Sequence, residues 1–166
     1  MILTGSVTGL CLVLCLPARA VDNKLSTQDR AFLTDAAQET LTEVYMGRIG
    51  QVRGTATSVR DYSQRLIDDD TKENNGLKAL AKQKGVSLPP DGFSTLPRSL
   101  TSKAGADFDK AFAAAQVTDE QKDIAEFEKE ANSGSDPDVK AWAKNNLTVL
   151  RADLNLAKSI VNSPAR

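Results

Sequence analysis

The stretch SVRDYSQRLIDDDTKENNGLKALAKQKG, residues 58–85, contains no proline and ends on a glycine. Val59, Tyr62, Leu66, Leu77, Leu80 and Ala81 fall on one face when it is wound as an α-helix. Gly85 is placed to close it as a C′ residue. The apolar stripe breaks in its middle: Asp70 lies four residues after Leu66 and seven before Leu77, with Glu73 one turn further along. A helix over 58–84 with acids on its core face sets both the fold and the candidate site.

Outward from this helix, proline marks the other boundaries. It occurs at Pro17, Pro89, Pro90, Pro97, Pro137 and Pro164. Because proline breaks helix interiors, the clear stretches between are free to be long helices. Helix one is predicted over about 27–53, with Ser26 or Thr27 as N-cap and Asp29 in its first turn. Phe32, Ala36, Leu41, Val44, Tyr45, Ile49 and Val52 form its apolar face, and Gly47 and Gly50 admit a close neighbour. Helix three is predicted over about 105–132, with Phe108, Phe112, Ala115, Phe127 and Ala131 inward. Helix four starts at Asp136-Pro137, an N-cap followed by proline at N1, and carries Val139, Trp142, Leu147, Leu150, Leu154, Ala157 and Val161. Period-2 alternation finds no support, so the class is all-α.

Short joints between helices one and two, and between three and four, make those pairs antiparallel. The middle joint, 86–104, has nineteen residues and holds Pro89-Pro90-Asp91-Gly92 and Pro97. A 27-residue helix is about 40 Å long, and nineteen extended residues reach about 60 Å. The expectation is a four-helix bundle of ferritin-like form, in which a long connection sets helix three parallel to helix two.

Composition bounds the chemistry. The 166 residues are 40% hydrophobic and 26% charged, with 21 basic against 22 acidic side chains and no histidine. A formal charge of -1 offers no electrostatic footprint for nucleic acid. Histidine general bases, Ser-His-Asp triads and His- or Cys-based zinc sites are excluded, since the only cysteines are Cys11 and Cys15. Both lie in an apolar run, Leu10–Leu16, followed by Ala18-Arg19-Ala20 with small residues at the -3 and -1 positions of a signal-peptidase site. Residues 1–20 are therefore expected to be an export signal, although no Lys or Arg precedes the run. The run is shorter than the roughly 20 apolar residues a membrane span needs. The mature chain, 21–166, is then one bundle domain with its core at about 27–161, exported to the periplasm without a thiol.

The acids in the stripes are the candidate site. Asp70 lies on helix two, Glu120 eight residues after Phe112 on helix three, Asp153 three after Leu150 on helix four, and Glu43 at the edge of helix one's face. Glu73 is peripheral to this set. Buried unpaired carboxylates cost several kcal/mol each, so a compensating partner is required. A divalent cation would serve, and oxygen-only ligands favour Ca, Mg or Mn. The competing reading places the same acids nearer solvent or pairs them with Arg48, Arg65 or Arg151.

The segments DRAFLTDAAQ (29–38), LTEV (41–44), VRDY (59–62), Asn74 with LKAL (77–80), GADFD (105–109) and LTVLRADLNLA (147–157) resemble the bacterial exported family catalogued as domain of unknown function 4142. The likeness spans about 27–161. It implies a ferritin-like four-helix bundle, outer-membrane-associated or periplasmic, with no established reaction. The family pattern carries a histidine on helices two, three and four; the matching positions here are Asp70, Glu120 and Asp153, and its helix-one glutamate matches Glu43. The family's tyrosine near the start of helix three is Phe112 here, and its proline before Leu150 is Thr148. A histidine-dependent metal site therefore does not transfer unchanged. The absence of a Glu-x-x-His pair argues against di-iron chemistry. The expectation is an exported, non-catalytic bundle that binds a partner or serves in stress, with cell-envelope association and no nucleic-acid partner. The alternative is a cation-binding bundle with a carboxylate-only site at Glu43, Asp70, Glu120 and Asp153.

Overall fold

The computed structural model describes residues 25–90 and 95–163. The expected export signal with both cysteines, and Asp91-Gly92 of the middle joint, lie outside these residues. Five helices form among the described residues, with no strand: α1 (Thr27–Arg53), α2 (Thr57–Gln83), α3 (Arg98–Thr101), α4 (Gly105–Ser133) and α5 (Pro137–Val161). The four long ones match the segments that proline left clear, and α3 is a single turn within the middle joint. No described helix is long and apolar enough to cross a membrane.

Local chemistry fixes the boundaries. Ser26 and Asp29 form a reciprocal capping box at the start of α1, with Asp29 N–H donating to Ser26 Oγ at 3.1 Å and Ser26 N–H to Asp29 Oδ2 at 2.9 Å. Asp136 caps α5 by accepting from the N–H groups of Asp138 and Val139 at 3.0 and 3.1 Å, with Pro137 at N1. Gly85 takes φ +66°, so Val86 N–H reaches Ala81 O at 2.9 Å and Gly85 N–H reaches Lys82 O at 3.2 Å. That pair of bonds is a Schellman ending, which a residue with a Cβ resists.

Contacts between helix ends give the directions. At one end, Ser135 N–H donates to Asp29 Oδ1 at 2.8 Å, and Lys84 Nζ lies 2.8 Å from Asp136 Oδ2. The start of α1, the end of α2, the α4–α5 joint and the start of α5 thus meet there. At the other end, the Asp109 carboxylate accepts from Thr55 N–H, Thr55 Oγ1 and Ala56 N–H at 2.9, 2.6 and 2.8 Å. The guanidinium of Arg53 lies 4.5 Å from the Phe108 ring centre. Hence α2 and α4 run in the same direction, antiparallel to α1 and α5.

The core has two apolar clusters, one toward each end. The first gathers Phe32, Leu33, Leu77, Phe127, Val139 and Leu147. Its rings meet edge-on, Phe32 to Phe127 at 5.0 Å and Phe32 to Trp142 at 6.0 Å. The second gathers Met46, Val59, Tyr62, Leu66, Phe108 and Phe112. Here α1 and α2 approach closely: a Cβ at Gly47 would stand 2.7 Å from Ser63 O, and one at Gly50 would collide with the Ser63 side chain and stand 2.8 Å from Phe112 Cζ of α4. One expected core residue is misplaced. Val52 is 84% exposed, because α1 turns its inner face through the small residues Gly47 and Gly50 rather than through Val52.

Candidate functional site

Between the two apolar clusters every long helix turns polar residues inward. Thr40 and Glu43 come from α1, Asp70, Glu73 and Asn74 from α2, Gln116, Glu120 and Asp123 from α4, and Asp153 from α5. The spacing explains the convergence. On α2, positions 66, 70, 73, 74 and 77 share one face, as do 112, 116, 120, 123 and 127 on α4. The four candidate acids are all buried: Glu43 is 7% exposed, Asp70 9%, Glu120 3% and Asp153 3%. Glu73, placed at the periphery by sequence, is buried as well.

Three of these acids meet different partners. The amide of Gln116 donates to Glu43 Oε2. The hydroxyl of Tyr62 donates to Glu120 Oε1 over a loose 3.4 Å. Arg65 Nε forms an ion pair with Asp153 Oδ1, and its Nη2 lies 3.2 Å from Asp69 Oδ2. Of the three arginines proposed as partners, Arg65 is therefore the one engaged with this set. Arg151 pairs instead with Glu128 at 2.7 Å on the surface, and Arg48 is exposed. Four buried oxygens in or beside the layer have no hydrogen-bond partner among the described residues: Glu39 Oε2, Asn74 Oδ1, Gln116 Oε1 and Glu120 Oε2.

Burial and like charge together favour protons on these acids. Burial, followed by the charges of Glu43 and Asp153, pushes the Glu120 carboxyl up to about 9. Burial and Glu39 push Asp123 to about 8, and burial and Asp153 push Glu73 to about 7. Glu43 rises well above the usual range through burial and the charges of Asp123 and Asp119. Asp70 does so through burial and the charges of Glu43 and Glu73. Asp153 rises by burial despite the opposing pull of Arg65. With Glu120 and Asp123 raised to about 9 and about 8, these two carboxyl groups hold protons at neutral pH and can act as hydrogen-bond donors.

The acids approach one another without forming a ready coordination sphere. Among the described residues, no three His, Cys, Asp or Glu side chains are grouped so as to hold a metal ion. Sequence reasoning missed Gln116, Tyr62 and Asp123 as members of the layer. The signal for Asp123 and Gln116 was their spacing from Glu120, three residues after and four before, on the same helical face.

A second acidic cluster sits at the α1/α5 end. The Asp29 carboxylate accepts from Ser26, Ser135 and Asp136. Burial alone would raise it, but hydrogen bonds from Ser26, Glu130 and Ser135 hold it well below the usual carboxylate range. Glu130 is raised by burial and by the neighbouring Asp29. Glu130 accepts from Gln28 Nε2 at 2.9 Å, and the two neighbouring carboxyls are thus pushed in opposite directions.

Comparison with known proteins gives fold and family. No functionally curated protein matches the chain. A DUF305 fragment from Deinococcus radiodurans superposes with a TM-score of 0.69 at 12% identity, covering 82% of this chain and 97% of that one. The conserved hypothetical protein Rv2844 from Mycobacterium tuberculosis gives 0.68 at 15% identity, covering 84% and 94%. CopM in its Cu(I)-bound form gives 0.68 at 13% identity, covering 79% and 93%. At such identities the likeness is one of fold. The profile of the family described as "Domain of unknown function (DUF4142)" matches residues 15–160, and the chain belongs to that family.

Proposed function

We propose that this chain is an exported, envelope-resident ferritin-like four-helix bundle that works by binding rather than catalysis. In this reading residues 86–104 are its long crossing, and the acid layer takes up a divalent cation in exchange for protons. The observation that carries it is the set of buried, unpartnered oxygens of Glu120, Gln116 and Asn74 beside acids drawn from all four long helices. A buried oxygen without a donor loses its hydration and gains nothing in return. A hard cation supplies the missing positive partner, and it replaces the protons that Glu43, Asp70 and Glu120 otherwise retain.

The donor set selects the ion. The sequence has no histidine, and Met46 is packed in the apolar cluster beyond the layer. Oxygen donors suit Ca, Mg or Mn, whereas Cu(I) selects thiolate and thioether. The copper of CopM is therefore no guide to the ion here, although it supports metal binding within this kind of helical fold.

The test is thermal unfolding of chelator-treated mature chain near pH 7, with and without calcium, magnesium or manganese. A site present only in the native state adds about 2.7 kcal/mol at a hundred times its dissociation constant. The metal-induced rise should vanish in Asp70→Asn combined with Glu120→Gln. If none of the three cations raises the melting temperature, the cation reading is wrong. Export has its own test: protein from the periplasmic fraction should begin at Val21 by mass spectrometry, and an intact Met1 in the cytoplasm would overturn it.

A further inference from the structure

The acid layer is closed tightly on two sides and loosely on the other two. The α1/α2 and α4/α5 pairs run close together along their length, whereas the backbones of α1 and α4, and of α2 and α5, come close at far fewer points. A basic side chain stands at each looser face. On the α1/α4 face, Lys122 Nζ lies 2.5 Å from Glu39 Oε1 and 3.5 Å from Glu126 Oε1, with 60% of its side chain exposed. On the α2/α5 face, Arg65 spans Asp153 and Asp69 with its side chain 39% exposed, while the Asp153 side chain is only 4% exposed.

The α2/α5 face carries a cavity beside its basic residue. It encloses about 330 Å³, and its lining includes Asp61, Tyr62, Arg65, Leu156 and Ser159. Two of these residues reach directly into the layer, since the Tyr62 hydroxyl lies 3.4 Å from Glu120 Oε1 and Arg65 holds Asp153. Glu120 Oε2, on a residue 3% exposed, has no partner. The cavity thus ends one side chain short of an unsatisfied, buried carboxyl oxygen.

We propose that the cavity between α2 and α5 is the entrance to the acid layer, and that Arg65 is its resident counter-cation, displaced when a divalent ion reaches Asp153 and Glu120. This rests on the cation reading given above. Arginine keeps its charge at any relevant pH, so it leaves Asp153 only by moving. Its partial exposure and its second partner, Asp69, give it a place to move to, and solvent screens the charge there. While Arg65 sits on Asp153, that carboxylate is not open to an ion, and among the described residues no three His, Cys, Asp or Glu side chains are already grouped to hold one. With Arg65 turned onto Asp69 alone, Asp153 becomes available beside Glu120.

Mn2+ binding to the chelator-treated mature chain tests this, with affinity read from loss of the free-ion EPR signal and release read by stopped-flow mixing with a colorimetric chelator. Arg65→Gln removes the competitor and should tighten Mn2+ by roughly tenfold or more, as loss of a charge pair with a buried partner implies. Lys122→Gln makes the same change in net charge at the more exposed mouth and should shift affinity by less than about threefold. Ser159→Trp fills the cavity from an exposed position and should slow Mn2+ release at least several-fold while leaving affinity unchanged. Should Arg65→Gln fail to unfold cooperatively, Ser159→Trp decides the entrance by itself. Equal effects of Arg65→Gln and Lys122→Gln would reduce Arg65 to a distant charge. An unchanged release rate in Ser159→Trp would remove the entrance. In either case the cation reading survives. If neither wild type nor Arg65→Gln binds Mn2+ at millimolar concentration, both the entrance and the cation reading fall, leaving a layer filled by protons and water.

Discussion

Asp29 and Glu120 are both buried carboxyl groups in the same bundle, and their protons behave oppositely. Asp29 is fully buried yet stays ionised, because it sits at a helix start where backbone N–H groups from Ser26, Ser135 and Asp136 point at it. Asp136 nearby is also held low: burial works against it, but the hydrogen bond from Lys84 and those from Val139 and Asp138 outweigh it. Glu120 lies mid-helix, where every neighbouring N–H is used by the helix itself, and it meets one tyrosine hydroxyl and other acids. Burial raises both groups; at Asp29 the hydrogen-bond donors outweigh it, whereas at Glu120 deeper burial and neighbouring acids prevail over a single donor. Helix ends supply donors freely and helix middles do not.

Removing Lys84 should break the ionised end most severely. Its side chain and that of Asp136 are each 3% exposed, and losing one partner of a buried pair costs about 3–5 kcal/mol. Urea unfolding of Lys84→Met should show that loss, and a value under about 1 kcal/mol would mean water reaches Asp136 after all. Asp29→Asn keeps the shape but weakens the acceptor of a capping box and of two tertiary N–H groups. A cost of about 2–3 kcal/mol follows from donors left poorly satisfied, measurable by the same unfolding curves.

The pH dependence of stability sharpens the contrast. Asp29 and Asp136 are lowered, so their contribution is full above their unfolded values near 3.8 and is lost as pH falls toward their folded values. The layer acids are raised, so the folded state holds protons that the unfolded state releases. Stability from the layer is therefore full below the unfolded values and is lost with rising pH: from 4.5 to about 7 for Glu73, 3.8 to about 8 for Asp123, and 4.5 to about 9 for Glu120. In the absence of divalent ions stability, and with it the melting temperature, should peak near about pH 4–5; it falls on the acid side as Asp29 and Asp136 take up protons, and on the alkaline side by about 1.4 kcal/mol per pH unit for each titrating layer acid. A peak at pH 7–8 would show the layer to be solvated. Near pH 5 the smallest effect is expected from Glu120→Gln, which retains hydrogen-bonding capacity without a proton to lose. Above pH 5 it should increasingly stabilise the metal-free chain relative to wild type and flatten the alkaline limb.

Much of this arrangement was legible beforehand, for identifiable reasons. Ser26, Gly85 and Asp136-Pro137 act on their immediate neighbours, so their effect is local and readable. The acids of the layer were visible because Asp70, Glu120 and Asp153 interrupt otherwise apolar stripes. Helix α1 was harder. Its inner face is built of Ala36, Thr40, Glu43, Gly47 and Gly50, which differ little in polarity from its outer face, so Val52 was placed inside and Glu43 at the edge. The choice among Arg48, Arg65 and Arg151 was not readable either, because a pairing across 88 residues depends on how α2 and α5 are rotated against each other.

The close contact of Gly47 and Gly50 with α2 has a mechanical meaning. It welds α1 and α2 into one hairpin, and α4 and α5 form a second that packs as closely on itself. The two hairpins then face each other like the valves of a shell, with acids from both along the line where they meet. Deprotonation would place like charges along that line first, and so load the seam between the hairpins before either hairpin itself. Alkaline loosening should thus first appear as faster amide exchange beside Glu43, Asp70 and Glu120, while amides around Gly47 and Gly50 stay protected.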